Sequence, residues 1–550
     1  MKGSGRHTVL NQSPPRIWVW LFFSVLAILL LVHNEQISLW DQDEAAYAGF
    51  ARTMLQTGNW VIPDFMWGFI HRKPPLHFWN IALAAKVFGM NEFSVRFSSS
   101  LAVWLTLFLM YRWGRHLWGA RTSLMASFIL STSLLVPALG KIALTDGTLL
   151  LFSTMCGLSI AMLIRKPSYK WVFVFWMAFA LAVLTKGPPV ILFTGFLCAG
   201  LLWRHPDRQW LYKLKPWFFL PLALLPLACW VYATIQMDGG TFARWMADWY
   251  ILKRVGGGVL GQEGPPGTHL LFMLIFFLPW LRNLPVAVYL SVRSFLERTN
   301  HMVFTLWFLA GWLPWELSPS KLPSYAVVAH VPLAFFLADA ILHHGGVLKN
   351  WRKTFSVIQF SLTHALFVVI CLLPLLLPVA TTSAYVFYVS GGMLIVFNVF
   401  AASALRTPKF IPRWVAVNAL FQVVIWVLLM PIADQWKSST RRTAILLENL
   451  TQPGTTVVIG NNRGRPPSLP YYLGDRYSEI LVEKRIDSLN VWYGKEEPVA
   501  LILNESQAIK LAELRGELPQ VEVHPGLYTD RLDKAGYILL INPEAQLVGR

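Results

Sequence analysis

Residues 148–204 read TLLLFSTMCGLSIAMLI, then RKPSYK, then WVFVFWMAFALAVLT, KG, PPVILFTGFLCAGLLW and a closing R. Three apolar runs, 148–164, 171–185 and 188–203, are parted by a basic connection and by a Lys186-Gly-Pro188 turn. Each approaches the length a helix needs to cross hydrocarbon, and none carries a charge inside it. They read as three consecutive membrane spans. The pattern continues in both directions. Further apolar runs lie near 17–32, 97–111, 122–139, 217–235, 268–290, 302–317, 325–342, 355–380, 383–404 and 413–433, which makes about thirteen spans. The run after Arg16 ends in His33-Asn34-Glu35 with no small-residue cleavage site, so it reads as a retained span rather than a signal peptide.

Composition agrees. Apolar residues make up 55% of the 550 and charged residues 14%, against about 25% charged in soluble domains. This excludes a disordered chain, a fibrous protein and a soluble enzyme on a single anchor. The net charge of +18 is no nucleic-acid signal, because its placement is periodic. Lys2, Arg6 and Arg16, then Arg112, Arg115 and Arg121, then Arg165, Lys166 and Lys170 open a series of basic clusters on alternate connections. It continues through Lys213 and Lys215, Arg293 and Arg298, Arg352 and Lys353, and Arg406 and Lys409. That alternation predicts a cytoplasmic N-terminus. An odd span count then predicts a C-terminal domain outside the cytoplasm. The four cysteines, 156, 198, 229 and 371, all sit in apolar runs and form neither a disulfide framework nor a zinc pattern.

The expected fold is a polytopic α-helical membrane domain, 1–433, with a small α/β domain at 434–550. Long non-cytoplasmic connections lie at about 34–96 and 236–267, and the stretch Phe78 to Met90 reads as a helix in the membrane interface. In the C-terminal part a helix is expected over 440–450 and another over 506–514. Strands are expected at 455–460, 499–504, 521–524 and 537–542. Gly460-Asn-Asn-Arg-Gly464 lacks the spacing and the Lys-Ser/Thr ending of a phosphate loop.

Candidate chemistry gathers at span ends on the non-cytoplasmic side. The first loop holds Leu39-Trp-Asp-Gln-Asp-Glu-Ala-Ala-Tyr-Ala48, with three carboxylates in four residues. Asp41 or Asp43 also suits a helix cap. Next comes His71-Arg-Lys-Pro-Pro-Leu-His-Phe-Trp79, where the Pro pair fixes the backbone beside Lys73. A Lys there either snorkels or binds a phosphate as a point charge. Leu144-Thr-Asp-Gly147, Lys186, Arg254 and Lys321-Leu-Pro-Ser-Tyr325 fall on the same side. The set suits an anionic, lipid-linked ligand and one or two working carboxylates.

In this order and at these span ends, Asp43-Glu44 with Tyr47, Lys73-Pro-Pro with Trp79, Thr145-Asp146 and Lys321-Leu-Pro-Ser-Tyr325 carry a resemblance over essentially the whole chain. It is similar to the GT-C glycosyltransferases of the bacterial aminoarabinose (lipid A) transferase and protein O-mannosyltransferase superfamily. The resemblance implies inverting transfer of a sugar from a polyprenyl-phosphate carrier to a lipid or protein acceptor, at the periplasmic face of a bacterial inner membrane. It implies a catalytic set of Asp43, Glu44 and Asp146. Lys73, Arg254 and Tyr325, with Tyr47 and Lys321, would bind the carrier phosphate. A monomer is expected, with membrane lipids around it and no nucleic acid. This chain departs from the pattern at Ala46, where an Arg is usual, at His71-Arg72, where Phe-Glu is usual, and at Trp249, where a His is usual. An acid and a His that could hold a metal are thus replaced, so no metal and no other cofactor is expected, and the sugar pocket differs.

The leaving phosphate gains charge, and cations with a Tyr hydroxyl answer that need. A hydroxyl acceptor calls for a base, for which Asp43 is the candidate. A phosphate acceptor is already ionised, and Asp43 would then orient. Of the rival readings, a transporter or flippase would be expected to show internal repeats and midplane ions, and neither is present in the sequence. A non-catalytic scaffold would leave the clustered ions without a role.

Overall fold

The structure is a computed structural model. It describes residues 13–41, 43–65, 73–248, 263–377, 381–403, 410–434, 439–460, 466–477, 479–516, 521–523 and 537–546. It is mostly helical with one small sheet. The chain divides into two compact units. The first comprises Met1–Val32, Arg72–Asn80 and Arg96–Leu429; the second comprises His33–His71, Ile81–Val95 and Met430–Arg550.

Among the described residues, seven helices are long and apolar enough to cross a membrane, or nine if each of two bent pairs counts as one span. Five shorter apolar helices accompany them, one of them the expected interfacial helix, Leu76–Phe88. The runs at 148–164 and 171–185 are helices Thr145–Arg165 and Tyr169–Lys186. The latter stops at Gly187, whose φ of +70° suits a residue without a Cβ, and Pro188 starts the next helix. Gly311 serves a close approach instead: a Cβ there would meet the Ala329 nitrogen at 2.8 Å.

Two runs expected to be single spans are bent. Ala120–Ser131 and Leu135–Lys141 meet at 67°, and Thr268–Phe276 and Leu278–Leu296 at 95°. A break frees backbone groups that hydrocarbon cannot satisfy. Here the two breaks satisfy each other: the Leu134 amide donates to the Phe276 carbonyl at 3.0 Å. Trp280 Nε1 donates to Thr132 Oγ1 at 3.1 Å, and Gln422 Nε2 to the Thr132 carbonyl at 3.2 Å. Trp414 Nε1 takes the Pro279 carbonyl.

The second unit is built on a five-stranded sheet in the order β2-β1-β3-β5-β4, with β1 Thr456–Ile459, β2 Glu479–Val482, β3 Val499–Leu503, β4 Val521–Val523 and β5 Tyr537–Ile541. β2, β1 and β3 run parallel; β5 and β4 pair antiparallel. Alternate residues feed two cores. Val457, Ile459, Ala500, Ile502 and Leu539 pack with Ala444, Leu447 and Leu469 on one face. Val458, Leu501, Leu503 and Leu540 pack with Leu489, Ala508 and Leu511 on the other. Both faces are covered, which is why β3 and β5 are continuously apolar in sequence.

The first loop belongs to this unit. Helix Asp43–Thr57 lies against helix Ser468–Leu473. Ser38 donates to Asp434 at 2.7 Å through its hydroxyl, and the Leu39 amide to the Tyr472 hydroxyl at 2.6 Å.

Candidate active site

Helices Thr145–Arg165 and Tyr169–Lys186 are antiparallel neighbours, so the start of one lies beside the end of the other. Asp146 sits in the first turn and Lys186 in the last, each with the sign its helix end prefers. They meet in a buried ion pair: Lys186 Nζ donates to both carboxylate oxygens of Asp146, at 2.9 and 3.0 Å. The Ser324 side chain and the Lys73 charge also act on this carboxylate. The Lys186 ammonium lies 5.3 Å from the centre of the Tyr325 ring, and that ring lies 4.8 Å from Trp315. The structure therefore brings Lys73, Asp146, Lys186 and Tyr325 together at one set of span ends.

The backbone around them is fixed locally. After Lys73, the Pro75 carbonyl accepts from the Phe78 and Trp79 amides, both at 3.0 Å, which starts helix Leu76–Phe88. His77 is fully buried and its Nε2 lies 3.2 Å from the Ala143 carbonyl, which ties this turn to the segment ahead of Asp146. Lys321 is held by backbone. Its ammonium donates to the carbonyls of Trp315 at 3.0 Å and Glu316 at 2.6 Å, and stands 3.7 Å from the Glu316 carboxylate. Glu316 accepts in turn from the Gly267 amide at 2.6 Å and from Trp312 Nε1 at 2.7 Å. Lys321 thus closes the turn that presents Ser324 and Tyr325. His77, Ser324 and Glu316 were not singled out from sequence. Each lies inside or beside a quoted motif, and polarity next to a span end was the available signal.

The carboxylates of the first loop belong to the second unit. Asp41 is buried and accepts from the Ser468 amide at 3.0 Å, so it caps helix Ser468–Leu473 rather than its own. Glu44 is buried and accepts from the Trp40 amide at 2.8 Å, which bends the loop into helix Asp43–Thr57. Tyr47 is buried in that helix. Asp43 is its first residue and is exposed. Arg254, Arg72 and Trp249 lie outside the described residues. Among the described residues no three His, Cys, Asp or Glu side chains gather as a metal site.

Residues 72–232 match the family described as dolichyl-phosphate-mannose-protein mannosyltransferase. The chain is 28% identical to an undecaprenyl phosphate-α-4-amino-4-deoxy-L-arabinose arabinosyl transferase of Erwinia tasmaniensis, over 64% of this chain and 65% of that one. It is 29% identical to a second such transferase, from Pseudomonas fluorescens, over 58% and 60%. The match thus spans less than two thirds of these relatives' own length. The crystal structure of ArnT from Cupriavidus metallidurans bound to undecaprenyl phosphate superposes with a TM-score of 0.77 at 17% identity, covering 96% of this chain and 98% of that one. That likeness shows a common polytopic membrane fold from end to end. The motifs at the span ends, the family match and the fold point the same way, and the chain is similar to the aminoarabinose transferases and the protein O-mannosyltransferases of the GT-C glycosyltransferase superfamily.

Proposed function

We propose that this protein is an inverting glycosyltransferase that moves a sugar from a polyprenyl-phosphate carrier to an envelope glycolipid of the lipid A class, outside the cytoplasm at a bacterial inner membrane. The observation that carries this reading is the gathering of Lys73, Asp146, Lys186 and Tyr325 at span ends, in a fold whose relative was crystallised with undecaprenyl phosphate.

In one displacement the acceptor oxygen bonds to the anomeric carbon as the bond to the carrier phosphate breaks. The electron pair leaves on the phosphate. Lys73, Arg254 and Tyr325, with Tyr47, hold that growing charge. Lys321 acts by shaping the turn that bears Tyr325. Asp146 is a positioning residue, since both oxygens of its carboxylate are committed to Lys186. Asp43, the exposed carboxylate of its motif, takes the proton of a hydroxyl acceptor, and Glu44 holds the loop that carries it. The reading is tested with purified protein and a radiolabelled polyprenyl-phosphate sugar. A transferase releases polyprenyl phosphate, whereas a transporter leaves the bond intact. The family match over residues 72–232 favours one alternative, transfer to a protein hydroxyl; assays with glycolipid and with protein acceptors separate the two.

The site is assigned no metal. Turnover is expected to persist in a chelator. Asp43→Asn keeps the shape and removes the charge, so it should abolish transfer to a hydroxyl acceptor and only weaken transfer to a phosphate acceptor. Activity lost on chelation and restored by Mn²⁺, Mg²⁺ or Zn²⁺ would make Asp43 or Glu44 a ligand and overturn this assignment.

Thirteen spans with a cytoplasmic N-terminus complete the proposal, and place residues 434–550 in the periplasm. A reporter active only in the periplasm, fused after Arg550, should be active. Signal from a cytoplasm-only reporter at that position would refute this topology.

A further inference from the structure

The second unit contains a cavity of about 300 Å³, at the lower end of the range for small-molecule sites. Its wall carries Arg52, Glu92, Arg441, Glu448, Tyr471 and Tyr472. None of these has a part in the reaction proposed above. The wall is built before any ligand arrives. Arg52 donates to the Tyr471 carbonyl at 2.6 Å, and its guanidinium lies 4.4 Å over the Tyr471 ring. Arg441 donates to the Gln36 carbonyl at 2.7 Å and stands 3.4 Å from the Glu92 carboxylate. It also lies 5.9 Å from the Tyr472 ring, whose hydroxyl accepts from the Leu39 amide. Glu448 lines the cavity, and its backbone carbonyl accepts from Arg476 at 2.9 Å.

The chemistry of this wall is specific in kind. The lining carries two guanidinium groups and two carboxylates, of which Arg441 and Glu92 are paired, so the cavity has no charge excess with which to trap a simple ion. A planar guanidinium offers several donors in one plane, and a carboxylate accepts from two hydroxyls at once. Tyrosine rings offer a flat apolar face beside a polar edge. Closely spaced donors, paired acceptors and aromatic faces together match a sugar ring, which has hydroxyls around its rim and C–H groups on its faces.

We propose that this cavity binds a saccharide, and that the saccharide is the headgroup of the glycolipid acceptor. The second half of the statement rests on the transferase reading above. The site gives the enzyme a grip on its acceptor that is separate from the groups acting on the carrier phosphate.

The test uses the full chain in nanodiscs, with N,N′-diacetylchitobiose as probe in saturation-transfer NMR. The wild type should show transfer. Ile445 is 47% exposed on the cavity wall, and Ile445→Trp should fill the cavity and abolish the signal. Glu448→Gln, nearly equal in volume, should weaken it. Val491→Trp, on an exposed position of helix Ile486–Tyr493 away from the cavity, should keep it. In the transfer assay Ile445→Trp should raise the acceptor KM about tenfold with kcat changed less than about twofold, the signature of lost uniform binding. No chitobiose signal in the wild type, or displacement of that signal by an equal concentration of inorganic phosphate, overturns the saccharide site. An unaltered acceptor KM in Ile445→Trp overturns the link to the acceptor. If the wild type releases no polyprenyl phosphate, the transferase reading falls, and the chitobiose measurement still decides what the cavity binds.

Discussion

Lys73→Ala and Arg254→Ala are each expected to lower turnover by roughly ten- to more than hundredfold, because removing one charged hydrogen-bonding partner costs about 1.5–3 kcal/mol. The leaving phosphate must be stabilised where it forms, and a cation held in place does so without reorganising. Lys73 is suited to this. The proline pair after it starts a helix, and its charge already acts on Asp146. Lys73→Arg should restore part of the activity if a positive charge suffices, and little if the compact ammonium is needed. The measurement is release of labelled carrier phosphate under single-turnover conditions, with the folded fraction checked by unfolding in detergent. Full activity in both alanine variants would refute the phosphate assignment.

Lys186→Met is expected to destabilise the first unit by about 3–5 kcal/mol, since it strands the Asp146 carboxylate in a buried setting. The pair as a whole is worth much less than this, because both ions lose water when they are buried. Lys186→Met combined with Asp146→Asn should therefore recover most of the loss. Thermal unfolding of the two variants in one detergent distinguishes the cases. A double variant as unstable as the single one would mean that the pair is not what holds these helix ends. Activity reports separately: the double variant should fold yet remain slow, because the Tyr325 ring has lost the ammonium beside it.

Much of this architecture was legible beforehand, for physical reasons that also explain the misses. Spans are readable because hydrocarbon admits only long apolar helices. The strands at 456–459, 499–503 and 537–541 were readable because a sheet covered on both faces is apolar throughout. β2, at Glu479–Val482, was missed, being four residues long with a charged first residue. The bends at 67° and 95° were missed for another reason. An apolar run records burial and not where the backbone ladder is interrupted, and here the partners for the freed groups come from distant helices. Asp146 and Lys186 were recognised as ionisable residues on one side. Their pairing needs the two helices to be antiparallel neighbours, which spacing alone does not state. Asp41 was read as a possible cap, and the helix it caps begins at Ser468. Arg52 was readable only as part of a helical pattern and Arg441 not at all, because nothing near them in the chain announces a cavity closed across so long a stretch of sequence.

That stretch imposes an order in time. The Asp41–Ser468 and Leu39–Tyr472 bonds join residues 427 and 433 positions apart. At about 5–20 residues per second, a ribosome needs roughly twenty to ninety seconds to make the second partner after the first. During that interval the motif around Asp43 exists without the scaffold that shapes it. A nascent chain stalled before Ser468 consequently lacks the bonds that shape this loop, however well its spans are inserted. The segment around Ser468 and Tyr472 is thus what lets the first loop finish folding.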